Sequence, residues 1–352
     1  MVFSRGKVKK VPTWHFGPDV IETSYEYTYL GVTFNYNGSF SKTLAKQSSQ
    51  ANKARYSITS KVRKLQLPID IECHLFDSCV LPILLYGSEV WGYSNSPQME
   101  IFHTQACKSM LHLHKNTSNS IALGELGRLP IHHHINQRML NYWAKLVNGS
   151  ENKIIFRVYS VLKKLHTEGT YTSKWLDKIH SELNKLGLSY LWHYKEFDPK
   201  WFKKKIRLTS EDQRRQNWLE TLTISSLCRN YKLFKADLKI EPYLLNIDKQ
   251  YSIHLCRFRA GNHKLPVTVG RYSNVDIEDR LCKLCTRGEI GDETHYILKC
   301  PYFEHERCIY LKPYYMRGEP KLKISELFKI TDPHQLRKLS RFTQLIMSKL
   351  AN

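Results

Sequence analysis

The sequence is short of acids. Its 32 Asp and Glu residues face 54 Lys and Arg, a formal charge of +22 over 352 residues. Such an excess favours a polyanionic partner, most economically nucleic acid, over a neutral or acidic one. Catalytic signatures are missing too. No Asp-Asp pair occurs, and there is no glycine-rich phosphate loop, no G-x-S-x-G and no H-E-x-x-H. Two-metal phosphoryl chemistry needs clustered carboxylates. Here Asp70, Glu72 and Asp77 lie along an apolar stretch, and Glu89 stands between Ser88 and Val90. On its own residues the chain reads as a binder, not a catalyst. Long apolar runs are also lacking: CVLPILLY (79–86) is too short to cross a bilayer, and MVFSRGKVKK has no apolar segment of the signal-peptide kind. Nine irregularly spaced cysteines fit no disulfide framework. The expectation is an intracellular, nuclear protein with reduced thiols and no membrane partner.

What is present is a folding composition, with 41% hydrophobic residues. The pattern predicts a mainly α fold with a small N-terminal β segment. Trp14, Phe16, Val20 and Ile21 flank the turn signal Gly17-Pro18-Asp19, and Tyr25, Tyr27, Tyr29, Val32 and Phe34 suit strands. Asn37-Gly38 is a further turn. From Ser41, a plausible N-cap, the period changes to that of a helix reaching about Leu65. Leu44, Ala51, Ile58, Val62 and Leu65 form one stripe, with Lys42, Lys46, Lys53 and Lys64 opposite. A face kept soluble for its own sake usually mixes signs, yet residues 41–64 contain no acid. Pro68 ends this helix. Residues 69–93 read as an apolar helix interrupted near Pro82, and 98–114 as another helix. KNTSNS (115–120) is a polar joint, followed by helical periodicity to about 236.

Two further basic stretches stand out. KWFKKKIRL (200–208) sets Trp201 and Phe202 among Lys203, Lys204, Lys205 and Arg207, a mixture suited to phosphate neutralisation and base stacking. The same stretch suits a nuclear-import signal, or a helix whose aromatics are core. RFRAGNHKLPVTVGRY (257–272) carries Arg257, Arg259, His263, Lys264 and Arg271, either phosphate contacts or a solvated helix and loop.

CKLCTRGEIGDETHYILKC (282–300) offers Cys282, Cys285, His295 and Cys300 as C-x2-C, nine residues, then H-x4-C. A C-x2-C turn aims two thiolates at one point, and a second pair closes a tetrahedron. Three Cys and one His leave no open position, so the expected ion is a structural Zn2+. Gly288 and Gly291 permit tight turns. Tyr296, Ile297 and Leu298 place the second pair at a strand or helix edge. Glu289, Asp292 and Glu293 read as surface loop. His305 and Cys308 are spare donors. The opposing reading is free cysteines in a core.

Together MVFSRGK, YTYLGVTFNYNGSFSKTLAKQSSQANKA, PILLYGSEVWG, RFRAGNHKLPVTVGRY and CKLCTRGEIGDETHYILKC resemble the C-terminal half of a LINE-type, non-LTR retrotransposon reverse transcriptase. The likeness covers most of the chain. It implies a palm and primer-grip remnant with Tyr29-Leu30-Gly31 near the grip, a helical thumb that holds template–primer, a helical connector, and a C-terminal zinc-binding unit. On pattern and resemblance the segments are 1–40, 41–118, 119–236 and 237–352. The family's catalytic aspartates have no counterpart here and are expected upstream of residue 1. The implied function is holding template–primer, or element RNA or DNA, without polymerising alone. The alternative from the residues themselves is a zinc-stapled structural or protein-interaction module.

Overall fold

A computed structural model describes residues 13–94 and 96–351. The MVFSRGK stretch lies outside the described residues. The fold is mostly helical (65%), with two small two-stranded sheets near the N-terminus and a Cys/His cluster near the C-terminus, as the pattern predicts.

Both sheets are antiparallel hairpins. Trp14–Phe16 pairs with Asp19–Ile21 around Gly17, whose φ is +60°. Glu26–Tyr29 pairs with Val32–Asn35, so Leu30 and Gly31, both left-handed, form a two-residue turn. The Tyr29-Leu30-Gly31 segment is thus a hairpin tip. Helix Ser41–Leu65 follows. Leu44, Ala51 and Val62 are buried and Ile58 is half-buried, but Leu65 is exposed. The 69–93 stretch is broken, as Pro82 predicts. It runs as helix Ile69–Leu75, a π-turn Phe76–Val80, then short helices Leu81–Leu84 and Ser88–Trp91. Proline lacks the N–H that an unbroken helix would need there. Among the described residues no helix is long and apolar enough to cross a membrane.

The chain forms two compact units. One comprises residues 1–61, 74–102 and 130–211, the other 62–73, 103–129 and 212–352. Each is assembled from three separated stretches, because buried side chains far apart in sequence find one another. In the first unit Trp143, on helix Ile131–Val147, is fully buried against Trp192, Phe197 and Phe202, and its Nε1 donates to the Tyr159 hydroxyl at 2.9 Å. Gly92 lets this helix approach closely: a Cβ there would come within 2.5 Å of Ile135 Cγ2. Phe202 and Ile206 of helix Pro199–Ile224 face the same core.

In the second unit, helix Pro333–Lys349 starts with Pro333 at its first position and Asp332 accepting from the Gln335 N–H at 2.9 Å. It buries Leu336, Leu339, Phe342 and Ile346, one face at helical spacing, and packs against helix Lys249–Arg259. At the centre of this unit lies a charged network. Arg259, with no side-chain exposure, donates to Glu125 Oε1 at 3.0 and 3.2 Å and meets Glu241 Oε2 at 2.9 Å. Lys235 pairs with the other Glu241 oxygen, and the Tyr243 hydroxyl donates to Glu125 Oε2. Two carboxylates and two cations neutralise one another out of water, the condition under which buried charge is tolerable.

Candidate metal centre and basic surfaces

The Cys/His cluster is built by a short hairpin and a turn. Residues 281 and 290 form an antiparallel bridge, and the Cys282 N–H donates to the Glu289 carbonyl at 2.9 Å. Gly288, at φ +65°, makes the reversal. Gly291 serves differently: a Cβ would meet Pro266 Cγ at 2.8 Å, so glycine lets the hairpin dock on helix Pro266–Tyr272. The π-turn His295–Lys299 then presents His295 and leads to Cys300, whose N–H returns to the His295 carbonyl at 2.7 Å. Tyr296, Ile297 and Leu298 anchor this turn in the core, and buried Arg307 ties it from outside by donating to the Ile297 and Cys300 carbonyls at 2.8 and 2.7 Å.

These elements bring the donor atoms of Cys282, Cys285, His295 and Cys300 within 4.8 Å of one another. Cys282 Sγ lies 3.8 Å from Cys300 Sγ, and Cys285 Sγ lies 3.5 Å from His295 Nε2. A regular tetrahedron with zinc's usual bond lengths has S···S edges of about 3.8 Å and S···N edges of about 3.6 Å. A disulfide would need sulfurs at about 2.0 Å. The cluster can therefore hold a metal ion, and among the described residues it is the one such grouping of His, Cys, Asp and Glu donors.

The electrostatics call for a cation. Burial resists ionisation of Cys282, but the Tyr296 hydroxyl and the Leu284 and Cys285 N–H groups outweigh it and lower its pKa. Cys300 is pushed up to about 12 by burial, and the nearby Cys282 and Cys285 sulfurs add to the rise. Three sulfurs this close cannot all become thiolates unless a positive ion offsets their repulsion.

The acids of this segment are not the surface loop the sequence suggests. Glu289 Oε2 lies 3.2 Å from His295 Nδ1, which leaves Nε2 facing the thiols, and 3.2 Å from Lys299 Nζ. Asp292 accepts from the His295 N–H at 2.8 Å. Glu293 is buried, 3.0 Å from His263 Nε2, and also accepts from Asn230. Burial opposes its ionisation, but these partners outweigh burial and lower its pKa. Metal-ligating histidines need a partner on the second ring nitrogen. That rule, with three acids inside the motif, is the signal that points to Glu289. His305 and Cys308 are exposed and take no part in the cluster.

The basic residues divide. Lys42, Lys46, Lys53 and Lys64 are exposed along one helix, with Lys42 paired to Glu26. Lys203, Lys204, Lys205 and Arg207 are exposed, and none is ion-paired among the described residues. Trp201 is partly exposed, whereas Phe202 is core. With Lys200, the side chains of Lys203, Lys204 and Arg207 line a shallow depression of about 410 Å³ opposite Gln137 and Asn141, two amides the basic pattern alone does not flag. In the 257–272 stretch Arg257 is half-buried and donates to the His112 carbonyl at 3.0 Å. Lys264 is exposed and Arg271 half-buried. Arg259 and His263 are corrections: both side chains are sealed from solvent and bound to carboxylates, so neither reaches a phosphate. The pattern of basic residues does not reveal which ones a buried acid will claim.

No family model, curated protein or solved structure matches the chain. What these sites can do follows from their own atoms.

Proposed function

We propose that the chain binds RNA or DNA and does not polymerise alone, in the manner its resemblance to the C-terminal half of LINE-type reverse transcriptases implies. The ion of its Cys3His cluster is a structural Zn2+, held by Cys282, Cys285, His295 and Cys300. Such an ion fastens the hairpin to the following turn and, with all four positions filled by protein, offers none to a substrate.

One observation carries the nucleic-acid reading. Lys200, Lys203, Lys204 and Arg207 are spaced i, i+3, i+4, i+7, which places them on one helix face, and none has an acid partner among the described residues. Side chains spent on surface solubility are usually interspersed with acids. Four cations on one face give a local positive field that a phosphate backbone can neutralise. Gln137 and Asn141 across the depression add donors and acceptors for sugar or base. Filter binding of duplex and single-stranded RNA and DNA across a salt series tests this. Log K should fall steeply and linearly with log salt. A flat dependence would remove the reading, and primer extension by the purified chain with Mg2+ or Mn2+ would overturn its non-catalytic part.

One observation favours a protein-interaction role instead. Helix Ile154–Thr167 leaves Ile154, Ile155, Val158 and Val161 each at least half exposed along one side. If charge reversal at Lys203, Lys204 and Arg207 left nucleic-acid binding unchanged, that second reading would stand in its place.

A further inference from the structure

A second cleft lies within the other compact unit. It encloses about 300 Å³, the lower end of the range for ligand pockets and the size of one nucleotide, not a base pair. We infer that this cleft receives a single unpaired nucleotide of a nucleic-acid strand, with Tyr272 as stacking platform and Arg271, Lys232 and Arg229 as phosphate ligands. The inference rests on the nucleic-acid reading above and adds where an unpaired base is held.

Three features carry it. First, Arg229, Lys232 and Arg271 line one small cleft and none is ion-paired among the described residues. The one carboxylate lining the cleft, Glu293, is taken up by His263 and Asn230, so three cations against one buried acid leave a net positive charge that an anion between them relieves. Elsewhere in this unit cations do find carboxylates, as Lys235 and Lys249 show. Second, Tyr272 is 70% exposed at the end of helix Pro266–Tyr272 and lines the same cleft as Arg271. An aromatic ring in water beside phosphate-binding cations suits a base, which has a π-face, better than a bare phosphate, which has none. Third, the cleft carries neutral amides and hydroxyls, Asn116, Ser226 and Asn262 among them, able to meet base edges and sugar.

The wall is rigid on one side. Asn230 lines the cleft and donates to Glu293, which also lines it and is held in turn by His263. Gly270 packs so closely on Arg280 that a Cβ would meet its Cγ at 2.6 Å, and Arg280 is fastened to the Val275 and Val267 carbonyls. The helix end that bears Arg271 and Tyr272 is thus fixed before any ligand arrives, as a binding site requires.

The test measures fluorescence anisotropy of the full chain with a labelled single-stranded RNA oligomer and with the same oligomer annealed to its complement. Tyr272→Ala should weaken single-strand binding about tenfold and change duplex binding less than about twofold. Arg271→Ala should weaken single-strand binding and shallow its salt slope by about 0.7. Adenosine monophosphate should compete with the single strand, and poly-glutamate at equal charge should not. Both residues lie at the surface, and thermal melts matching the unchanged protein confirm that the variants fold. Single-strand binding that persists undiminished in both variants would overturn the cleft and leave the nucleic-acid reading intact, as would competition by poly-glutamate equal to that by the nucleotide. Failure of the unchanged chain to bind any strand would remove both.

Discussion

Glu289 Oε2 stands 3.2 Å from Nδ1 of His295, on the far side of the ring from the Nε2 that lies 3.5 Å from Cys285 Sγ. The carboxylate fixes the ring's orientation and directs its lone pair into the thiol cluster. Glu289 sits below the usual carboxylate range: slight burial works against this, but His295 and Lys299 outweigh it. Glu289→Gln should therefore keep the four donors but lower metal affinity about 10- to 100-fold. Competition for zinc against a chromophoric chelator measures this. Unchanged affinity would show that the carboxylate does not orient the ligand.

Removal of the ion should act on one unit. Apart from the cluster, the hairpin 281–290 and the turn His295–Lys299 are joined at its outer side by Glu289, which meets His295 and Lys299, and by Arg287, which donates to the Lys299 carbonyl, so chelation or Cys300→Ser should loosen the two together and leave these contacts between them. Structural zinc in finger peptides contributes on the order of 10–16 kcal/mol of binding free energy, and a larger domain depends on part of it. Hydrogen exchange should speed up across 281–300 while helix Ile131–Val147 stays protected. Elemental analysis of reduced protein should find one zinc per chain.

Arg259 answers two buried acids at once, Glu125 and Glu241, and also donates to the Phe328 carbonyl at 3.2 Å. Arg259→Ala leaves two carboxylates out of water with Lys235 alone to balance them. The loss should be about 3–5 kcal/mol in urea unfolding followed by circular dichroism. Replacing Arg259 and Glu125 together by apolar residues of similar volume should cost less than the sum of the single changes.

His112 should make the protein acid-sensitive. Burial first, then the charges of Lys249, Arg257 and Arg63, lower its pKa from 6.5 to about 4. The unfolded chain then takes up a proton between pH 6.5 and pH 4 that the folded chain refuses, so stability is full above pH 6.5 and falls as pH drops through that window. Because the ring is partly in solvent, the loss is on the order of 1–2 kcal/mol. His112 sits at φ +52°, a conformation asparagine tolerates. In His112→Asn the difference in melting temperature between pH 7 and pH 4.5 should shrink, and an NMR titration of His112 should give the low value directly.

Charge reversal of Lys203, Lys204 and Arg207 should weaken nucleic-acid binding at low salt and shallow the slope of log K against log salt by at least about 2, since each lost phosphate contact removes about 0.7–0.9. These side chains point away from the core that Phe202 and Ile206 fill, so the fold should be unaffected. An unchanged slope would move the binding surface elsewhere.

Local pattern was enough for much of this protein. The turn pairs in the first forty residues, the helix from Ser41 to Leu65, the break at Pro82 and the metal quartet all rest on interactions within a few residues or within one short motif, and such interactions leave periodicity and spacing behind them. Tertiary structure alone decided the rest, because a charge's role depends on which distant group it meets. Arg259 and His263 are as basic as Arg271 in the sequence. Only the folded chain carries Glu125 to the first and Glu293 to the second, taking both out of water, and leaves Arg271 beside Tyr272 at an open cleft.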